Sequence, residues 1–349
     1  VTSRERMRAV LEGRVPDQVP RGLYGPLIDI VNDYTRELFA THAGKDPLDC
    51  FRHDLRTLWL RDEAHRRNRP KAPDGEWYSQ KTRRIETIAD LEKIRLRELW
   101  APTPYTAEAL RPQVERLHDQ GLPVLIYGRV TLFQFGWWLR GQTQFLMDIA
   151  LGEPWLEPLL DIVADAAAAD AAIFAAAGPE LVGTGDDVGT QKGLFISPEH
   201  WRKYFNPRVK RIVDAAKRAN PAVRIVFHSC GNVWDIIPDL IEAGVDVLNP
   251  IQPEAMDAAA VKREFGRDLV LWGGVSCQRT LAFGGPEDVR EEVRQAIDVL
   301  GADGGYILSP AHMINAPTPW ENIVAFFEAA DEYGRYAPQQ TIAHKEIQA

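Results

Sequence analysis

The chain has few cysteines, no long apolar run and no excess of basic charge. Three cysteines in 349 residues, Cys50, Cys230 and Cys277, cannot build a disulfide framework, and so sparse a set points to a reducing cytoplasm. No apolar stretch reaches the roughly 18 residues that a membrane-spanning helix needs. A net charge of −9 argues against a nucleic-acid partner, which would need a basic face, although a locally basic pocket for an anionic substrate remains open. A glycine-rich dinucleotide fingerprint is also missing after the first apolar run, which argues against an open doubly wound sheet. The opening VTSRERMRAVLEG is Arg-rich and amphipathic. Lacking a continuous apolar core, it reads as a helix and not as a signal peptide. Its first residue is not Met, so trimming of the N-terminus is expected.

What the chain does have is a strand-then-helix unit, repeated. VRIVFHSCG is an apolar run with a polar end, and VWDIIPDLIEAG follows at helical spacing with a glycine stop. VDVLNP with MDAAAVKREFG repeats the pattern, as do DLVLWGG with PEDVREEVRQAIDVLG and GGYILSP with PWENIVAFFEAADEYG. Four such units in tandem demand a parallel sheet. Upstream, PVLIYG and ELVGTGDD read as strands on either side of the Ala-rich helix 155–178, and QVPRGLYG and HDLRTLWL as weaker ones. Together they supply the eight strands of a (β/α)8 TIM barrel. One domain is expected over residues 1–349, with residues 65–110 inserted at the rim after the second strand as a turn, a hairpin and a helix.

In such a barrel reactive groups gather where strands end. The ends offer Arg129 after PVLIYG, Asp186 and Asp187 after ELVGTG, and His228, Ser229 and Cys230 after VRIVF. Asn249 with Gln252 comes next, then Gly273, Gly274 and Cys277, then Ser309 and His312. Strands serving only a core would not need polar ends this regular, which favours an enzyme over a binding or structural module. His228 and Cys230 stand at i and i+2 of an extended chain, so both point to one side and can share an ion. Imidazole with thiolate suits zinc. The plain alternative is a hydrogen-bonded histidine beside an inert buried cysteine. Cys277 and His312 end later strands, and both can face the same mouth. The stretch GRVTLFQFGWWLRG carries Phe133, Phe135, Trp137 and Trp138, which either fill core or wall a flat pocket near Arg129.

Four stretches carry a resemblance to a known family: SRERMRAVLEGRVPDQVP, GDDVGTQKGLFISPEHWRKYFNPRVKRIVDAAKR, FHSCGNVWDIIPDLIEAGVDVLNP and GGYILSPAHMINAPTPWENIVAFFEAA. Through them the chain resembles the uroporphyrinogen decarboxylase (URO-D) superfamily, including its cobalamin-dependent methyltransferase branch, whose fold is a distorted (β/α)8 barrel. For the methyltransferases the resemblance implies zinc on a His-x-Cys pair and a distant cysteine. His228 and Cys230 match the pair, and His312 stands where the distant cysteine would fall. For the decarboxylases it implies a late histidine, which His312 matches, and an Arg-rich motif near the start, where PRGLYGPLIDIVNDY has Arg21 alone. An acidic tetrapyrrole needs several cations, and Arg21 and Arg129 are the evident ones.

The resemblance therefore implies a corrinoid-dependent methyltransferase with zinc on His228, Cys230 and His312, Cys277 being the alternative third ligand. Zinc would polarise the heteroatom of a small methyl donor, such as a methoxylated aromatic, and a corrinoid (methylcobamide) carried by a partner protein would take the methyl group. Asp186, or its neighbour Asp187, is expected to orient substrate or complete the metal shell, with Asp186 and His312 catalytic. Arg129, Phe133, Phe135, Trp137, Asn249 and Gln252 are expected to bind substrate. The alternatives are decarboxylation of a carboxylated tetrapyrrole and a non-catalytic relative that binds one.

Overall fold

The protein, seen as a computed structural model, is described over residues 1–23, 33–44, 51–60, 89–90, 105–128 and 132–337. Seven strands form one parallel sheet in chain order. They are β1 (Arg56–Trp59), β2 (Val124–Tyr127), β3 (Leu181–Gly185), β4 (Arg224–His228), β5 (Val247–Ile251), β6 (Val270–Val275) and β7 (Tyr306–Pro310). At least one helix stands between each strand and the next, as parallel neighbours require. The crossover from β2 to β3 carries Phe133–Arg140, Gln142–Leu151 and the Ala-rich Leu156–Ala176. No helix among the described residues is long and apolar enough to cross a membrane.

Among the described residues, seven of the eight expected strands are present. The other candidate, QVPRGLYG, contributes a single parallel bridge between Arg21 and Leu308. Leu308 N–H donates to the Pro20 carbonyl (2.9 Å) and Gly22 N–H to the Leu308 carbonyl (3.1 Å), which ties this segment to β7. On its other side Asp54 N–H donates to the Arg21 carbonyl (2.7 Å), just ahead of β1. Residues 20–22 thus link the two edges of a curled sheet. Pro20 has no N–H to give a ladder, which helps keep the segment short. Of the expected insertion, residues 65–88 and 91–104 lie outside the described residues, and its last residues open the helix Ala107–Asp119.

Alternation along the strands sorts side chains into two cores. Leu125, Tyr127, Leu181, Val226, Val247, Val270, Trp272 and Ile307 share one cluster, inside the curl. The residues between them, including Ile126, Val182, Ile225, Phe227, Leu248, Leu271 and Leu308, join the outer cluster beneath the helices. Gly183 serves the inside by having no side chain, since a Cβ there would lie 2.0 Å from the Tyr127 ring.

The helix Ser3–Leu11 closes the end where the strands begin. Thr2 and Glu5 cap it reciprocally, Glu5 N–H donating to Thr2 Oγ1 (3.2 Å) and Thr2 N–H to Glu5 Oε2 (2.7 Å). Met7 and Val10, one turn apart, enter the inner cluster beside Leu55, Leu125 and Leu181. Asp54, fully buried, ties this helix to the sheet. It accepts Arg6 Nη1 (2.5 Å), Ser3 Oγ (2.7 Å) and the Arg21 N–H (2.8 Å). Arg6 completes its fork on Asp17 at 2.8 Å.

Removing one member of a buried ion pair leaves the other charge uncompensated, at a cost of about 3–5 kcal/mol. Asp54→Ala should lower the unfolding free energy by about that much in a denaturant titration. A loss below about 1 kcal/mol would mean that Asp17 alone satisfies Arg6.

Candidate metal centre

Alternation carries β4 from Val226 to His228 and β5 from Val247 to Asn249 on the same inner face, and the register pairs His228 with Asn249. His228 Nδ1 lies 2.7 Å from Asn249 Oδ1. The Asn249 amide nitrogen lies 3.5 Å from the Trp272 carbonyl, which turns the amide oxygen toward the ring. Nδ1 is then the donor, and Nε2 carries the lone pair that a metal needs.

Past β4 the chain turns at Gly231, whose φ is +85°, a region that glycine enters without strain. A Cβ at this position would also lie 2.5 Å from the carbonyl carbon of Gly189. Gln252 Oε1 accepts the Gly231 N–H at 2.9 Å and fixes the turn. As a result Cys230 Sγ sits 3.6 Å from His228 Nε2. His312, just beyond β7, brings its ring centroid to 6.1 Å from that of His228. Ligand atoms of His228, Cys230 and His312 all lie within 4.8 Å of one another. Zinc bonds of about 2.3 Å to sulfur and about 2.05 Å to nitrogen at a tetrahedral angle put N and S roughly 3.6 Å apart. The donor set fits the ion.

The electrostatics of the two rings suits ligation, while that of the thiol opposes it until a cation is present. Burial lowers the His228 pKa, and burial with the nearby His228 ring brings His312 down to about 4. Both rings are therefore neutral near pH 7. Burial pushes the Cys230 thiol up, and Asp187 adds to the effect.

The two adjacent aspartates part company. Asp186 is buried, and its carboxylate accepts the N–H groups of Leu132 (2.7 Å), Phe133 (2.9 Å) and Gln134 (3.0 Å) at the start of the helix Phe133–Arg140. Burial raises its pKa to about 7 against the pull of those three donors. Its acceptors face the helix, so the expected catalytic carboxylate acts in the structure as a cap. Asp187 takes the place beside the ligands. Its Oδ1 accepts the Cys230 N–H (2.9 Å) and lies 3.6 Å from His228 Nε2, while Gln134 Nε2 donates to its Oδ2 at 2.7 Å. Gln134, inside an aromatic run, carried no signal that reading the sequence could use.

Other expected residues are placed as follows. Cys277 lies outside the three-ligand group. Burial, with Glu254 nearby, brings its thiol up to about 11. Phe133 is core: its ring packs against Phe145, Phe205, Phe195 and Trp137 with centroids 5.6 to 6.2 Å away. Phe135 and Trp137 are buried in the same cluster, so the packing reading of the aromatic stretch fits these rings better than an open pocket wall. The side chain of Trp138, and all of Arg129, lie outside the described residues. Arg21 is buried, pairing with Asp331 and donating to the Arg52 carbonyl (3.3 Å). Asn249 and Gln252 are near the ligands, each holding a ligand-bearing segment in place.

Comparison with known proteins accords with this geometry. The family model described as uroporphyrinogen decarboxylase (URO-D) matches residues 73–333. The methylcobamide:CoM methyltransferase MtaA of Methanosarcina barkeri is 30% identical over 178 residues, 51% of this chain and 49% of that one. The match thus spans about half the length of that curated relative. The methylcobamide:CoM methyltransferase MtbA of Methanosarcina acetivorans is 26% identical over 250 residues, 71% of this chain and 70% of its own. A chloroplastic uroporphyrinogen decarboxylase of Nicotiana tabacum is 27% identical over 251 residues, covering 70% and 61%. Among solved structures, a methyltransferase from Methanosarcina mazei superposes with a TM-score of 0.63 at 21% identity, covering 95% of this chain and 99% of that one, a likeness of fold. With the family model spanning well over half of its length, the chain belongs to the uroporphyrinogen decarboxylase family.

Proposed function

We propose that the chain is the methyltransferase of a corrinoid-linked pair, moving a methyl group from a small donor to a corrinoid carried by a partner protein. The observation that carries this reading is the convergence of His228, Cys230 and His312, with sulfur and nitrogen at the spacing a tetrahedral zinc sets. Bound there, zinc would supply Lewis acidity to the donor's heteroatom. The protein's own groups do the rest. Asn249 fixes the His228 tautomer, Gln252 and Gly231 shape the turn that presents Cys230, and Asp187 offers a carboxylate beside the ligands. Relatives named as methylcobamide:CoM methyltransferases support the corrinoid partner. A methoxylated aromatic remains a candidate donor, although Phe133 is committed to the core and lends it no stacking face.

Tetrapyrrole decarboxylation is the other activity named among the relatives. It needs cations facing the mouth, and Arg21 is buried against Asp331. With Arg129 outside the described residues, the preference for methyl transfer rests on the convergence of His228, Cys230 and His312. Zinc and cobalt analysis of the purified protein separates the two. About one zinc per chain is expected, with Cys230→Ser losing metal affinity by at least about tenfold because a hydroxyl is a poorer ligand than a thiolate. Methyl transfer to an added corrinoid protein should fall with it. Full activity in a metal-free protein would overturn the assignment.

Proton release gives an independent check. Both rings are held below their usual value, His312 at about 4, so near pH 7 neither has a proton to lose, whereas the Cys230 thiol, held up by burial, does. Zinc binding should then release about one proton, and affinity should fall about tenfold for each pH unit toward acid. Calorimetry in two buffers of different ionisation enthalpy reads this directly. A release near zero or near two would contradict the ligand set.

A further inference from the structure

The three N–H groups that Asp186 accepts fix the start of the helix Phe133–Arg140, and this aims one side chain of its first turn, Gln134, at the neighbouring Asp187. We propose that Gln134 is a positioning residue that holds Asp187 beside His228, and that Asp187, next to the three-ligand group but outside it, serves as the exchangeable fourth group once an ion is bound. This rests on the metal reading above and deepens it.

Geometry divides the carboxylate into an anchored arm and a working arm. Oδ2 takes the Gln134 amide at 2.7 Å. Oδ1 takes the Cys230 N–H at 2.9 Å and faces His228 Nε2 at 3.6 Å. The Asp187 side chain is 34% exposed, so incoming groups can reach it, while His228 beside it is 9% exposed. The choice of anchor matters electrostatically. An Arg or Lys in place of Gln134 would neutralise Asp187 and weaken its pull on a cation; a neutral amide fixes direction and leaves the charge intact. Two neutral imidazoles and one thiolate leave a divalent ion with one net positive charge, which a single carboxylate balances. When a donor's heteroatom arrives, Asp187 can give way on its Oδ1 side while Oδ2 stays on the amide.

The test reads metal affinity and not turnover. Full-length wild type, Gln134→Met, Asp187→Asn and the double variant are titrated with zinc against a chromophoric chelator. Gln134→Met keeps the side-chain length and loses the donor; it should bind zinc about tenfold more weakly, and Asp187→Asn about 10- to 100-fold more weakly. The double variant should be no weaker than Asp187→Asn alone, because Gln134 acts only through Asp187. With cobalt(II) as the probe, both single variants should shift the visible bands in the same direction and retain the sulfur charge-transfer band. Unchanged affinity in Gln134→Met, or losses that simply add, would overturn the inference while leaving the ligand set standing. A wild type that binds no zinc would remove the metal reading and this inference with it.

Discussion

A parallel sheet that curls has to fill its own inside, and it can do so only with every second residue of each strand. In this chain Val226, Val247, Val270, Leu125, Leu181 and Ile307 fill the lower part, with Met7 and Val10 brought up from the N-terminal helix. Trp272 and Tyr127 span the middle, the second with the help of a missing side chain at Gly183. The next inward positions, His228 and Asn249, arrive where the apolar filling stops. They are paired across the sheet and buried, and each needs a partner there. The imidazole-amide bond at 2.7 Å meets both needs at once, and in doing so it aims Nε2 at the place where Cys230 and His312 converge.

Much of this was legible in the residues. Apolar runs closed by polar residues located all seven strands, because a strand buried on both faces is written as such a run. The spacing of His228 and Cys230 announced a shared direction, since an extended chain repeats every two residues. The division of labour between Asp186 and Asp187 was not legible. It depends on where the helix Phe133–Arg140 presents its first N–H groups, and that depends on packing of Phe133 against Phe145 and against Phe205, the latter far away along the chain. Gln134 was invisible for the same reason. Among the described residues the eighth candidate makes one bridge and no full strand; its hydrophobic pattern says nothing about hydrogen-bond donors, and Pro20 has none to offer.

Cys277 illustrates how a residue can stand beside a site without belonging to it. A cysteine at a strand end could be read either way from sequence, and this one stands outside the group formed by His228, Cys230 and His312. Gln252 and Asn249 support Cys230 and His228. His228 and Cys230 are thus held by two neutral amides and by the Asp187 carboxylate, which accepts the Cys230 N–H.

The N-terminal helix has a consequence beyond stability. With Met7 and Val10 seated among the first residues of the strands, that end of the interior is stoppered. Whatever reaches His228, Cys230 and His312 comes from the side on which the strands end, and whatever leaves goes back the same way. A small donor and a bulky partner-borne acceptor would share one doorway. On the proposed function, their order would be set by size: the small molecule would have to be inside before the large one covered the opening, and its remnant would depart only after the cover lifted.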